Sequence, residues 1–259
     1  MKDTVFVTLS DASYYQRALG TLQGLRQYGG WSGDIVLLCV DFRPDARLSE
    51  VSAEFVLLDH LDHAPLWEVW KAHPIRSVPD ERHFKKTYQW DKLQVFGSWC
   101  RRWKRVVFLD AGASVLSSVE PLLQLEWRGA FLAPLDGAPQ DCTRVFRTQL
   151  DLEANPLATS DLLQLFGEGI LDAPYFLNCF FVFDTKLAAA AFANARAWMT
   201  RFPIMMCNEM GVMNLQFAMH AKTWHVLPNY HADGRPFLGY ANTDFAGNPY
   251  RHEFCMLKY

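Results

Sequence analysis

The chain has 259 residues, 50% of them hydrophobic and 14% aromatic, with a formal net charge of −3. That length and apolar content can bury one large core or two small ones. No run of lysines and arginines stands alone as a patch, which argues against nucleic acid and acidic membranes as partners.

The six cysteines are dispersed and form no Cys-x-x-Cys pair, which argues against zinc and against a compact disulfide framework. Met1 to Val7 lacks the long apolar segment of a signal peptide, and no run approaches the ~20 apolar residues of a membrane span. The expectation is a soluble, cytoplasmic α/β protein with a single domain over residues 1–259.

Val5-Phe6-Val7-Thr8-Leu9 reads as a β-branched strand. Ser10, Asp11 and Ser13 follow as capping residues, and Ser13 with Gln16 has capping-box spacing. Tyr15, Ala18, Leu19, Leu22 and Leu25 then make a helix face closed by Gly29-Gly30. Ile35–Val40 is a second buried strand and Phe55–Leu58 a third, so the opening is a βαβ unit. It lacks the Gly-x-Gly-x-x-Gly of a Rossmann dehydrogenase.

From His60 to Trp90 periodicity fades, predicting a long connection with short helical pieces, its histidines partly exposed. Trp90–Phe96 opens a helix that ends near Arg101-Arg102-Trp103-Lys104-Arg105, cations that suit a helix C-terminus. Val106-Val107-Phe108-Leu109 is a buried strand ending at Asp110, with Ala111, Gly112 and Ala113 behind it. Asp110 is either a turn residue or the floor of a ligand crevice, where small neighbours let backbone approach closely.

Ala130–Pro134 is a further strand, and Asp136–Asn155 is an irregular, polar, candidate acceptor loop. Asp161–Phe166 is a short helix. Tyr175–Phe183 is an apolar strand interrupted by Asn178, whose amide needs a backbone or ligand partner. An Ala-rich helix covers 186–201, and another opens at Asn208 (as N-cap) and Glu209. Pro228–Tyr259 shows little periodicity.

These residues carry a resemblance. Phe6–Ser10 with Tyr15, Ala18-Leu19 and Lys92-Leu93 resemble the glycogenin-like family of GT-A retaining glycosyltransferases. Phe108–Leu116 with Glu120-Pro121-Leu122-Leu123, then Ala133-Pro134, Asn178 and Glu209–Asn214 fall in that family's order over nearly the whole chain. The resemblance implies a GT-A, Rossmann-like single domain whose central mixed, mostly parallel sheet is flanked by helices. It also implies transfer of a hexose from a UDP-sugar to a glycan, protein or small-molecule acceptor.

On that resemblance, Leu9, Ser10 and Tyr15 would hold the donor's uracil and ribose, and Thr8, Ala111 and Gly112 would also be substrate-binding. Lys92 would reach the sugar-phosphate region, and Asp110 is the first acid of the family's Asp-x-Asp. Asn178 would hydrogen-bond the donor sugar. Glu209 and Met210 stand where the family has Asp-Gln beside the anomeric carbon. His252 would be a metal ligand and Lys258 a diphosphate clamp, with His231 a rival for the histidine's role.

Gly112 replaces the family's second acid. A hard cation such as Mn²⁺ or Mg²⁺ wants carboxylate oxygens, and Asp110 with His252 makes a poor site. Either metal binding is weak, or another carboxylate enters, or Lys92 and Lys258 neutralise the diphosphate. The alternatives to a hexosyltransferase are a nucleotide-sugar or glycan-binding protein of the same fold, and a nucleotidyltransferase or other nucleotide-sugar enzyme on a related sheet. A nucleotidyltransferase would want a Gly- and Lys/Arg-rich loop after the first strand, which Leu9–Ser13 does not supply.

Overall fold

The computed structural model describes residues 1–77, 81–136, 145–228, 237–240 and 256–258. In chain order it contains β1 (Lys2–Ser10), α1 (Tyr15–Gln27), β2 (Asp34–Val40), α2 (Arg47–Glu50), β3 (Glu54–Leu58), α3 (Ala64–Ala72) and α4 (Arg82–Lys85). Two 3₁₀ segments, Thr87–Phe96 and Ser98–Arg102, lead into β4 (Trp103–Leu109) and β5 (Ala113–Val115). Then come α5 (Glu120–Leu123), β6 (Phe131–Ala133), α6 (Pro156–Phe166), β7 (Phe180–Asp184), α7 (Ala188–Arg201) and α8 (Glu209–Asn214). A π turn over Leu215–His220 precedes β8 (Trp224–Val226), β9 (Leu238–Tyr240) and β10 (Met256–Lys258).

Among the described residues, seven strands form one sheet in the order β3-β2-β1-β4-β7-β6-β8. Only β7 runs against its neighbours, so the sheet is mixed and mostly parallel. The period-2 alternation of each strand divides the core. Val5, Val7, Val106, Phe108, Phe181 and Phe183 face α3, α7 and α8, while Phe6, Val107, Leu109 and Val182 face α1. On the first side Phe108 stacks on Phe181 at 4.5 Å, and Phe131 on Phe217 at 3.9 Å. The result is an α/β/α sandwich with β1, β2, β3 and β4 ending on the same edge, where such sheets bind ligands. A second sheet, β5-β10-β9, pairs Lys258 with Ala113 and so returns the end of the chain to the loop after Asp110.

Several expectations are corrected. No capping box forms: Asp11 Oδ1 instead accepts from Ser13 Oγ at 2.7 Å and from the Tyr14 N–H at 2.9 Å. The Trp90–Phe96 helix is 3₁₀, and β4 starts at Trp103. Lys104 and Arg105 therefore lie in the strand, with buried Arg105 donating to Thr4 Oγ1 and the Leu123 carbonyl. Tyr175–Cys179 is not strand, because Asn178 lies before β7. α6 begins five residues before Asp161, capped by Asn155, whose Oδ1 accepts from the Ala158 N–H. His63 and His83 are buried rather than partly exposed. Part of the Asp136–Asn155 loop and much of the tail, including His231 and His252, lie outside the described residues, as does the Lys258 side chain.

No helix among the described residues is long and apolar enough to cross a membrane. Cys39, Cys100, Cys179 and Cys207 carry free thiols.

Candidate active site

Four polar side chains from four separate segments converge at the carboxyl edge of β4. Lys92 comes from the first 3₁₀ segment, whose Trp90, Leu93, Val95 and Phe96 are buried in the core and fix its position. Asp110 ends β4, its N–H bonded to the Cys179 carbonyl at 2.9 Å. Asn178 precedes β7, and Glu209 is the first residue of α8.

Lys92 Nζ lies 3.0 Å from Asp110 Oδ1, 3.2 Å from Glu209 Oε1 and 3.4 Å from Asn178 Oδ1. Asn178 Nδ2 donates to Glu209 Oε1 at 2.8 Å. One cation is thus shared between two carboxylates and an amide. Burial alone would lower the Lys92 pKa, but the charges of Asp110 and Glu209 outweigh it and hold the ammonium well above the usual range. Burial pushes Glu209 up, with Lys92 and Asn178 opposing that rise. Glu209 Oε2 is buried and has no partner among the described residues. An unpartnered carboxylate oxygen in a cavity wall is available to a ligand.

Asn214 sets the spacing between Asn178 and Glu209. Its Oδ1 accepts from the Phe176 N–H at 2.9 Å, and its Nδ2 donates to the Phe176 carbonyl at 3.1 Å. One fully buried amide thereby bonds α8 to the Tyr175–Cys179 segment as a neighbouring strand would.

These groups line a cavity of about 380 Å³ together with Leu177, Cys179 and Met210. Its far wall contains Ser77, Arg82, His83, Lys86, Gln89, Met206, Cys207 and Asn208, none of which was singled out as a ligand contact from sequence. Asn208 is at φ 49°, left-handed for a residue with a Cβ, and its side chain does not cap α8. Instead its Nδ2 donates to Gln89 Oε1 at 2.7 Å. Burial pushes the Cys207 thiol up to about 11, so it is a neutral lining group rather than a nucleophile.

The other expected contacts lie along the same sheet edge. Thr8, Leu9 and Ser10 end β1, paired with β2, and the Thr8 and Ser10 hydroxyls are buried with no partner among the described residues. Gly112, at φ 86°, bonds through its N–H to Thr21 Oγ1, and Ala111 packs under α1. Tyr15 stands apart from the cavity: its ring packs on Phe42 and its hydroxyl donates to Asp45 Oδ1 at 3.0 Å.

A divalent cation fits the described residues poorly. Gly112 offers no side-chain oxygen, and Lys92 already lies against Asp110 Oδ1. No group of three or more His, Cys, Asp or Glu among the described residues is arranged to hold a metal.

No protein-family model and no curated protein sequence matches this chain. Solved structures do match. A galactosyltransferase, LgtC, solved in complex with donor and acceptor sugar analogues, superposes with a TM-score of 0.59 at 13% identity, covering 98% of this chain and 86% of LgtC. The bifunctional glycosyltransferase WbbM gives 0.58 at 12% identity, covering all of this chain and 46% of WbbM. Core-mannan synthase A (CmsA/Ktr4) of Aspergillus fumigatus, in an Mn/GDP form, gives 0.54 at 9% identity, covering 88% and 73%. The chain therefore has the GT-A glycosyltransferase fold.

Proposed function

We propose that the protein is a retaining hexosyltransferase of the glycogenin-like kind, moving a hexose from a UDP-sugar to a hydroxyl acceptor. The observation that carries this reading is the convergence of Lys92, Asp110, Asn178 and Glu209 in one cavity on a GT-A sheet edge. In this reading Thr8, Leu9, Ser10, Tyr15, Asp110, Ala111 and Gly112 form the nucleotide side, with Lys258 reaching the diphosphate. Met210 lines the sugar.

Transfer breaks the bond from the anomeric carbon to the diphosphate oxygen and forms one to the acceptor oxygen. The acceptor's hydroxyl proton leaves with the diphosphate. Glu209 presents its carboxylate to the positive charge that develops at the anomeric carbon, and Asn178 fixes that carboxylate through Oε1. Lys92 supplies a fixed positive charge beside the departing diphosphate. The described donor set does not fit Mn²⁺ or Mg²⁺, and no step is assigned to a metal.

Calorimetric titration with UDP, GDP and CDP tests the reading: UDP binds preferentially, and equal or absent binding for all three removes it. Uridine diphosphate release from UDP-hexoses, with the product's anomeric configuration read by NMR, tests transfer and retention. The second reading is a nucleotide-sugar-binding protein without turnover. It is favoured by the engagement of both acids by Lys92, and UDP binding with no release would establish it.

A further inference from the structure

The wall of the cavity opposite Asp110 is cationic. Arg82 and Lys86 both line it, separated by one helical turn across α4 and its C-terminal end. Among the described residues neither has a carboxylate within ion-pair distance, whereas the cations Lys2, Lys71, Arg102, Lys104 and Arg201 each have one within 3 Å. Desolvation and the like charge of Arg82 lower the Lys86 pKa, while Cys207 and Glu209 oppose that drop.

The same wall carries buried polar atoms without partners among the described residues: His83 is 2% exposed with neither ring nitrogen bonded, and Asn208 is 3% exposed with its Oδ1 unbonded. Burial lowers the His83 pKa, so the ring is neutral near pH 7 and offers one donor and one acceptor. Two cations without a carboxylate partner among the described residues, beside buried hydrogen-bonding groups, suit a charged, hydroxylated ligand better than a neutral one.

We infer that the acceptor is an anionic sugar, its phosphate or carboxylate held by Arg82 and Lys86 while its hydroxyls meet His83 and Asn208. This rests on the hexosyltransferase reading, which places the donor's nucleotide at the ends of β1 and β4. Arg82 and Lys86 approach Glu209 from the other side: the carbonyl of Lys86 accepts from Asn208 Nδ2 at 3.4 Å, just before α8. An anion there brings a neighbouring hydroxyl towards the oxygen-lined floor at Glu209.

The test titrates glucose, glucuronate and glucose 6-phosphate into protein saturated with UDP, which removes competition for the diphosphate site. At least one anion binds tenfold or more tighter than glucose, and an R82Q/K86Q double variant abolishes that preference while UDP affinity changes less than threefold. Preference for glucose 6-phosphate identifies a phosphorylated acceptor, and preference for glucuronate a uronate. Equal binding of all three overturns the inference, as does an anion preference that survives in the double variant. A tenfold loss of UDP affinity in the double variant also overturns it, by assigning the two cations to the donor. Failure of the hexosyltransferase reading looks different, because wild-type protein then shows no UDP preference at all.

Discussion

Asp91 and Lys92 are consecutive, both buried, and each is surrounded by groups of opposite character, yet they belong to different kinds of cluster. Asp91 is 1% exposed. Its Oδ2 lies 2.7 Å from His60 Nδ1, and its Oδ1 accepts from the Leu61 N–H at 2.7 Å and Gln94 Nε2 at 3.3 Å. Both carboxylate oxygens have partners, and the partners belong to the chain on either side of the long connection. That arrangement fixes a loop. Lys92 instead gathers two carboxylates and an amide from three distant segments, and one of those carboxylates, in the wall of a cavity, keeps a buried oxygen with no partner among the described residues. Burial and charge are common to both clusters, and each holds a buried atom without a hydrogen-bond partner among the described residues, His63 Nε2 in one and Glu209 Oε2 in the other. The cavity belongs to only one, and it marks the site.

The comparison breaks most visibly at Lys92. Lys92→Met leaves Asp110 and Glu209 facing each other with no cation. Uncompensated buried charge costs roughly 3–5 kcal/mol, so chemical denaturation should give a loss of that size. A loss below ~1 kcal/mol would mean that water or another cation already serves the two acids.

Glu209 separates site from scaffold. Glu209→Gln keeps an oxygen for Asn178 Nδ2 and Lys92 but removes the charge, so folding and UDP binding stay nearly intact. Turnover should fall at least about a hundredfold, ~2.7 kcal/mol. The wild-type pH profile carries the same information. Burial raises the Glu209 pKa, so the carboxylate is protonated, and turnover lost, as pH falls through a value above the usual ~4.3 for glutamate. An acid limb at or below ~4.3, or near wild-type turnover in the variant, would return Glu209 to a merely structural role at a helix start.

Asp91→Asn is the matching control on the other cluster. It weakens the bonds to His60 and the Leu61 N–H and should lower stability by ~1–3 kcal/mol. UDP affinity should move less than threefold, since Asp91 faces away from the cavity. A large change in UDP affinity with little change in stability would merge the two clusters into one site.

How much of this was legible beforehand follows from what each feature depends on. The strands at Val5–Leu9, Ile35–Val40 and Val106–Leu109 rest on local apolar runs, and they stand where expected. Asp110 and Asn178 stand out locally, as the acid that ends a buried strand and the amide inside an apolar run. Lys92 and Glu209 enter as ligand contacts only through the family resemblance, and no short-range spacing links the four because they lie on four segments. The strand expected through Asn178 stops short because Asn214, 36 residues on, takes the Phe176 backbone groups that a ladder would use. The basic wall was missed for a related reason. Arg82 and Lys86 stand in a stretch without apolar periodicity, and only the fold of α4 against Asn208 turns them inward. The left-handed backbone of Asn208 has no signature in an Asn-Glu pair that reads equally well as an ordinary helix start.

The smallest expected effect concerns metal, and it asks whether Lys92 is the cation that this site relies on. CmsA/Ktr4 was solved in an Mn/GDP form, so a divalent ion is the alternative to weigh here. Such an ion needs several hard oxygens at about 2.0–2.6 Å. Here Gly112 offers no side-chain oxygen, and the Lys92 ammonium lies 3.0 Å from Asp110 Oδ1. A metal on that oxygen would have to displace the ammonium or share the carboxylate with it, against the repulsion of two cations. UDP affinity measured with added Mn²⁺ and again with EDTA should therefore differ by less than about tenfold, ~1.4 kcal/mol. A hundredfold loss on chelation would show that the tail completes a metal site with Asp110. In that case His252→Ala and His231→Ala, titrated in the same way, would identify the histidine that closes it, and Lys92 would become a partner of Glu209 alone.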